Sequence, residues 1–118
     1  MRILVVEDNL ERIQWFRTEF DPHFVTVAMD AKTGIACVQE ELVDLICLDH
    51  DLGGQVFADS HAQNTGYQVA KAIVNSINKD TPVIVHSWNI AGAKNICSIL
   101  KQAVYKPFGT FKKKDVLV

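Results

Sequence analysis

The run Val43-Asp44-Leu45-Ile46-Cys47-Leu48-Asp49-His50-Asp51-Leu52-Gly53-Gly54 constrains the fold more than any other stretch. Leu45 to Asp49 read as a strand with one acid at its end. Its apolar residues do not alternate with polar ones, so both faces must be covered, as in a parallel sheet with helices on each side. Asp49, His50 and Asp51 then meet a glycine pair that has to turn. Open parallel α/β sheets bind ligands outside the carboxyl ends of their strands. An acid in that position is placed for chemistry.

The rest of the chain repeats a strand–helix alternation five times. Arg2 to Val6 is an apolar strand ending in Glu7-Asp8, and Asn9 caps a helix carrying Leu10, Ile13, Trp15-Phe16 and Phe20. Asp21-Pro22 stops that helix, and His23 to Ala28 alternates as a second strand. Asp30 caps a helix to about Glu41, with Ile35, Cys37-Val38 and Leu42 as its apolar side. After the central strand, residues 53–64 are polar and small and form a long loop. Tyr67 to Ile77 is a helix with Val69-Ala70, Ile73-Val74 and Ile77 on one side. Pro82 to Val85 is a buried strand, Gly92 to Gln102 a helix and Ala103 to Tyr105 a last strand. A closing helix must be short or missing. The pattern predicts a doubly wound five-stranded parallel α/β sheet, with residues 1–118 as one domain.

Composition narrows the class. A net charge of −2 gives no support for wholesale nucleic-acid binding. Cys37, Cys47 and Cys97 lie in apolar patterns without metal-ligand spacing, and read as core residues in a reducing cytoplasm. The first strand breaks into acid too early for a signal peptide, and no run approaches the ~18 apolar residues of a membrane span. The Lys112–Lys114 run reads as a solvated tail, with a phosphate contact as the alternative.

Right-handed crossovers bring Glu7, Asp8, Asp49, Ser87 and Lys106 to one edge, the carboxyl ends of the strands. Three crowded acids call for a cation or a shared proton. Mg²⁺ suits hard oxygen ligands, with water and a substrate phosphate completing its octahedron. Asp8 and Asp49 are its expected ligands, with Glu7 supporting. Ser87 and Lys106 would meet the oxygens of a phosphoryl group, and Asp49 would be the nucleophile that forms an acyl phosphate.

Ile3 to Asp8, Leu45 to Asp49, Pro82 to Ser87 and Lys106-Pro107-Phe108 together resemble the receiver domain of two-component response regulators. The resemblance implies a flavodoxin-like strand order 2-1-3-4-5. It also implies Mg²⁺ on Glu7 and Asp8 with a backbone carbonyl near Asp51 added to them, phosphorylation of Asp49 in a phosphorelay, and phosphate contacts from Ser87 and Lys106. The partners it implies are a histidine kinase or phosphotransfer protein and an output protein. Several features depart from that pattern. His50-Asp51-Leu52-Gly53-Gly54 follows Asp49, the loop to Thr65-Gly66 is long and carries Asp59, His61 and Asn64, and His86 stands before Ser87 where an aliphatic residue is usual. With Trp88-Asn89, Gly92 and Asn95, these runs resemble the cyclic-phosphate-processing receiver-like domains, whose implied substrates are RNA or nucleotide phosphate ends.

Two functional expectations follow. Asp49 as phosphoacceptor leads, because Glu7, Asp8, Asp49, Ser87 and Lys106 are all present. The alternative is a phosphoesterase with His50 and His86 as general acid and base, oriented by Asp51 or Asn89. Against the second stand an exposed His50 and a His86 at the core edge. Trp88 has two readings as well, packing under the loop or stacking on a base.

Overall fold

The computed structural model describes residues 1–117. In chain order the elements are β1 (Arg2–Val6), α1 (Leu10–Glu19), β2 (Phe24–Ala28), α2 (Ala31–Glu40), β3 (Leu45–Leu48), α3 (Gly66–Val74), β4 (Val83–Val85), α4 (Ile90–Ile99), β5 (Ala103–Tyr105) and α5 (Lys113–Val116). The sheet order is β2-β1-β3-β4-β5, with every pairing parallel. The doubly wound sheet is as the strand–helix alternation predicts, and its order is the one the receiver resemblance implies.

Period-two geometry sorts each strand's side chains between two cores. Leu4, Val6, Ile46, Leu48, Val83 and Val85 face α2, α3 and α4. Ile3, Val5, Leu45, Cys47 and Ile84 face Phe16 and Phe20 of α1 and Phe111 of the C-terminal segment. Cys47 is fully buried, and burial pushes its thiol far up, as expected of a core residue. Because α5 is a single turn, the second face relies on aromatic packing. Trp15 meets Phe16, Phe108 and Phe111 edge-on, with ring centroids 5.0, 5.2 and 5.6 Å apart. The sheet is thus covered on both sides without a full closing helix.

Two stretches depart from their apolar periodicity. Leu42, Val74 and Ile77 are exposed rather than packed. For Leu42 the reason is Asn78, a fully buried amide at the end of α2. Its Nδ2 donates to the carbonyls of Val38 and Glu41, each at 2.8 Å, and its Oδ1 accepts from the N–H of Val43 at 3.0 Å. Those bonds close the end of α2 before Leu42 can join its apolar side. The third helix ends at Val74 instead of Ile77, where its last carbonyls accept at i+3, Ala72 from the Asn75 N–H and Ile73 from the Ser76 N–H and hydroxyl. At the other end of the molecule α4 starts two residues before Gly92, because Asn89 Oδ1 accepts from the Gly92 N–H at 2.9 Å and caps it.

Candidate active site

The carboxyl edge of the sheet carries a cavity of about 450 Å³ whose lining includes Glu7, Asp8, Arg12, Asp49, Asp51 and Trp88. Glu7 follows β1 and is buried, yet every oxygen is used. Its Oε2 accepts the N–H groups of Asp8 and Asn9 at 3.0 and 3.1 Å, while Oε1 receives His86 Nε2 at 3.0 Å and lies 3.6 Å from Arg12. Burial raises the Glu7 carboxyl, but His86, the Asn9 N–H and Arg12 outweigh it and hold the acid below its ordinary range. Asp49, just past β3, has the opposite balance. Burial and the neighbouring Glu7 charge raise its carboxyl to about 7, against partial relief from His86, the His50 N–H and Arg12. Its Oδ1 accepts that N–H at 2.8 Å. Its other oxygen, Oδ2, has no hydrogen-bond donor among the described residues. Gly66 is the floor beneath it. A Cβ there would lie 1.7 Å from the Asp49 carbonyl oxygen, so the start of α3 can approach only as glycine.

Glu7, Asp49 and His86 each offer a ligand atom, and these atoms lie within 4.8 Å of one another. Two carboxylates, one of them raised by burial and then by its neighbour's charge, fit a hard divalent cation such as Mg²⁺, and an imidazole in the set also suits Mn²⁺. Asp8, also expected as a ligand, lines the same cavity, and its Oδ2 accepts the Gly54 N–H at 2.7 Å, anchoring the long loop.

The second cluster grows from the same strand end on the α4 side. His50 is fully buried, with Nδ1–H donating to Asp51 Oδ1 at 2.7 Å and Nε2 2.8 Å from Ser60 Oγ. Asn95 Nδ2 donates to that same hydroxyl at 2.8 Å, and Asn89 Nδ2 donates to Asp51 Oδ1 at 3.0 Å. Asp51 also accepts the N–H groups of Phe57 and Ala58, at 2.7 and 3.2 Å. Burial opposes ionisation of Asp51, but His50, Asn89 and the Phe57 N–H prevail and its carboxyl is lowered. Gly92 lets α4 close over the ring, since a Cβ there would come 2.4 Å from His50 Cγ.

Comparison with known proteins places this edge. Residues 2–102 match the family described as Cyclic-phosphate processing Receiver domain. The chain belongs to that family. Among solved structures it is similar to a CheY-like receiver domain from Methanospirillum hungatei, at 20% identity and a TM-score of 0.72, over 98% of this chain and 86% of that one. It is also similar to the receiver domain of the sensor histidine kinase PA1611 from Pseudomonas aeruginosa, which holds a magnesium ion in its active-site cleft. That pair shares 21% identity and a TM-score of 0.74, over 97% and 88% of the two chains. TrrA from Thermotoga maritima, solved with Mg²⁺ and BeF, gives 21% identity and a TM-score of 0.67, over 92% and 88%. No curated protein matches the chain. At these identities the structures establish the fold, and the family comes from residues 2–102.

Within this cyclic-phosphate processing receiver domain, the expected site residues separate. Glu7, Asp8, Asp49 and Asp51 line one cavity. Ser87 is buried at its side, where its Oγ accepts the Asn89 N–H at 3.0 Å and shapes the turn into α4. Lys106 is half-buried, its N–H continuing the sheet to the Val85 carbonyl at 2.9 Å, and it pairs with no carboxylate among the described residues. His50 and His86 are both fully buried, and neither lines the cavity. Two further residues, which sequence reasoning passed over, join these clusters. Arg12, in the first turn of α1, lies with its guanidinium 4.2 Å from the Trp88 ring centroid and 4.9 Å from that of Phe108. Ser60 completes the His50 cluster from the middle of the loop. The only available signal for Arg12 was its helical phase, three residues beyond the Asn9 cap.

Among the described residues, no helix is long and apolar enough to cross a membrane.

Proposed function

We propose that this receiver domain opens cyclic phosphate esters at the Asp49 cavity with the help of a divalent cation. The observation that carries the proposal is the cation beside Asp49. It is Arg12, held against Trp88 and Phe108 on the cavity wall, and not Lys106. A guanidinium on that wall suits an incoming phosphate, which it can grip through paired N–H donors.

Glu7 and Asp49, with His86 behind them, would hold the cation, which when bound would polarise the phosphoryl group and neutralise its developing charge. The chain's own residues do the rest. His86 and two backbone N–H groups fix Glu7, so its charge does not have to reorganise during reaction. Arg12 binds the non-bridging oxygens. The free Oδ2 of Asp49 accepts a proton from the attacking water as its oxygen bonds to phosphorus. The bond from phosphorus to one ring oxygen breaks, that oxygen takes back from Asp49 the proton the water gave up, and a phosphate monoester is left with Asp49 ionised as before.

A second reading uses the same atom. Asp49 Oδ2 could itself attack phosphorus in a small phosphodonor, making Asp49 a phosphoacceptor. In its favour is the position of Asp49 at the carboxyl end of β3, in a sheet shared with receivers. That reading would supply the histidine kinase and output protein as partners. Incubation with a 2′,3′-cyclic nucleotide and, separately, with acetyl phosphate, each with Mg²⁺ or Mn²⁺, distinguishes the two. Monoester formation in repeated turnovers, without a covalent adduct on Asp49, supports ester opening. Stoichiometric labelling that is absent from Asp49→Asn, with no turnover, would establish the phosphoacceptor instead.

A further inference from the structure

The buried His50 cluster ends on a second cavity, of about 460 Å³, between the long loop and the start of α4. Ser60 brings a hydroxyl to its wall, beside Phe57, Ala58, Asp59 and Asn95. The protons of the cluster follow from its partners. Asp51 accepts from the Asn89 amide and from the N–H groups of Phe57 and Ala58, so donors surround the carboxylate. It takes the His50 Nδ1–H at 2.7 Å. Nε2 then carries no proton, and the hydroxyl of Ser60 must donate across the 2.8 Å between them. Asn95 Nδ2 donates to the same Oγ at 2.8 Å, which leaves Oγ one unbonded lone pair.

Carboxylate, imidazole and hydroxyl in series activate serine nucleophiles on unrelated folds, and the constellation is recognised by geometry and roles. A cluster that served only to anchor the loop would have no need to end on an open cavity. Here its hydroxyl lines one, and its backbone is pinned. The Ser60 carbonyl accepts from Gln68 Nε2 at 3.0 Å and from the Thr65 hydroxyl at 3.3 Å. Gly92 closes over the imidazole and fixes its plane. The lining of this cavity also carries Asp59 and neither arginine nor lysine. Its charge disfavours phosphates and carboxylates and admits a neutral acyl compound.

We propose that Asp51, His50 and Ser60 form a nucleophilic-serine relay that hydrolyses neutral carboxylic esters in this second cavity. The activity is separate from the Asp49 site and uses none of its residues. Ser60 Oγ bonds to the ester carbonyl carbon as its proton passes to His50 Nε2. The Asn95 amide, already beside Oγ, is placed to donate to the developing oxyanion. The bond to the leaving alcohol breaks, and the alcohol oxygen takes the proton from Nε2. Water then attacks the acyl-serine and gives a proton to Nε2, which returns it to Ser60 Oγ as the carboxylic acid departs. Ser60 and His50 are the catalytic residues, and Asp51 positions the ring.

Labelling of the folded full chain with a neutral alkyl fluorophosphonate, located by peptide mass spectrometry, tests the relay. Fluoride should be displaced and one adduct should form, on Ser60. Its rate should fall roughly 10²–10⁴-fold in His50→Gln at temperatures where that variant is folded. Ser60→Ala should take up no label, and Asp49→Asn should be labelled as fast as the wild type. For Asp51 the readout is the tautomer. ¹⁵N NMR of the His50 ring should place the proton on Nδ1 in the wild type and on Nε2 in Asp51→Asn, with labelling lost alongside. Phenyl acetate should be hydrolysed with the same dependence on these residues, and faster than the anionic monophenyl succinate. Wild type that gains no adduct on Ser60 would overturn the proposal, whatever the variants do. So would equal labelling of His50→Gln or a wild-type proton on Nε2. A preference for the anionic ester would overturn the substrate class.

Discussion

Two histidines lie at the ends of neighbouring strands, both fully buried, and they sit in opposite electrostatic circumstances. His50 has a partner on each nitrogen, Asp51 and Ser60, and those partners are themselves bonded to Asn89 and Asn95. His86 has Glu7 on Nε2 and no partner on Nδ1. Beside it Asp49 is raised to about 7, with one oxygen unbonded. A saturated polar cluster rigidifies what it touches, whereas an unsaturated one is held at a cost and is available to a ligand. Under the proposed function, the His50 cluster would hold the loop and the Glu7–Asp49–His86 cluster would carry the chemistry.

The largest effect should come from the unsaturated side. Asp49→Asn should lower cyclic-phosphate opening by about 10²–10⁴, the usual worth of a proton-transfer group, measured as kcat/KM. The same change should stabilise the protein. The Asp49 carboxyl moves from 3.8 to about 7 on folding, so the folded state holds this proton more tightly than the unfolded chain. Stability from this group is greatest below pH 3.8, falls as pH rises through the window, and is lost above about 7, a difference of roughly a few kcal/mol. The Tm advantage of Asp49→Asn should therefore grow between pH 4 and pH 8. Saturating Mg²⁺ should shrink it, because the cation neutralises the buried charge.

On the saturated side the expectation is reversed. His50→Ala leaves Asp51 and Ser60 without their ring partner and opens a void beneath Gly92, at a cost of about 2–4 kcal/mol in denaturant titration. The product-forming step at low temperature should survive better than the fold does. Arg12→Ala sharpens the comparison from a third direction. It should raise KM for cyclic phosphate roughly 10- to 100-fold with a smaller change in kcat, if the guanidinium binds ground state and transition state alike.

Much of this edge was legible in the chain because its signals are local. An unalternating run ending in Asp49 defines a central strand, and repeated alternation puts Glu7, Asp8 and Asp49 on one side whatever the packing details. What escaped depended on contacts between distant residues. The position of Arg12 depends on the aromatic pair Trp88 and Phe108, 76 and 96 residues further on by subtraction of their numbers. Leu42 and Ile77 looked like core because periodicity reads the helices they would extend; it cannot see Asn78 closing the end of α2, nor the Ser76 hydroxyl on the Ile73 carbonyl at the end of α3. Ser60 sits in a polar loop where a serine is unremarkable until His50 points at it.

The most direct test of the assignment is one paired measurement on His86→Gln and His50→Gln, each scored for Tm and for kcat with a 2′,3′-cyclic nucleotide. A glutamine at position 86 can still donate to Glu7, so Tm should stay near wild type while kcat falls about 10- to 100-fold, as for other groups that orient a metal ligand. Glutamine at position 50 should lower Tm and leave kcat within a few-fold of wild type at temperatures where the variant is folded. The account is contradicted if the two exchange places, with His50→Gln folded but inactive and His86→Gln unstable but fully active.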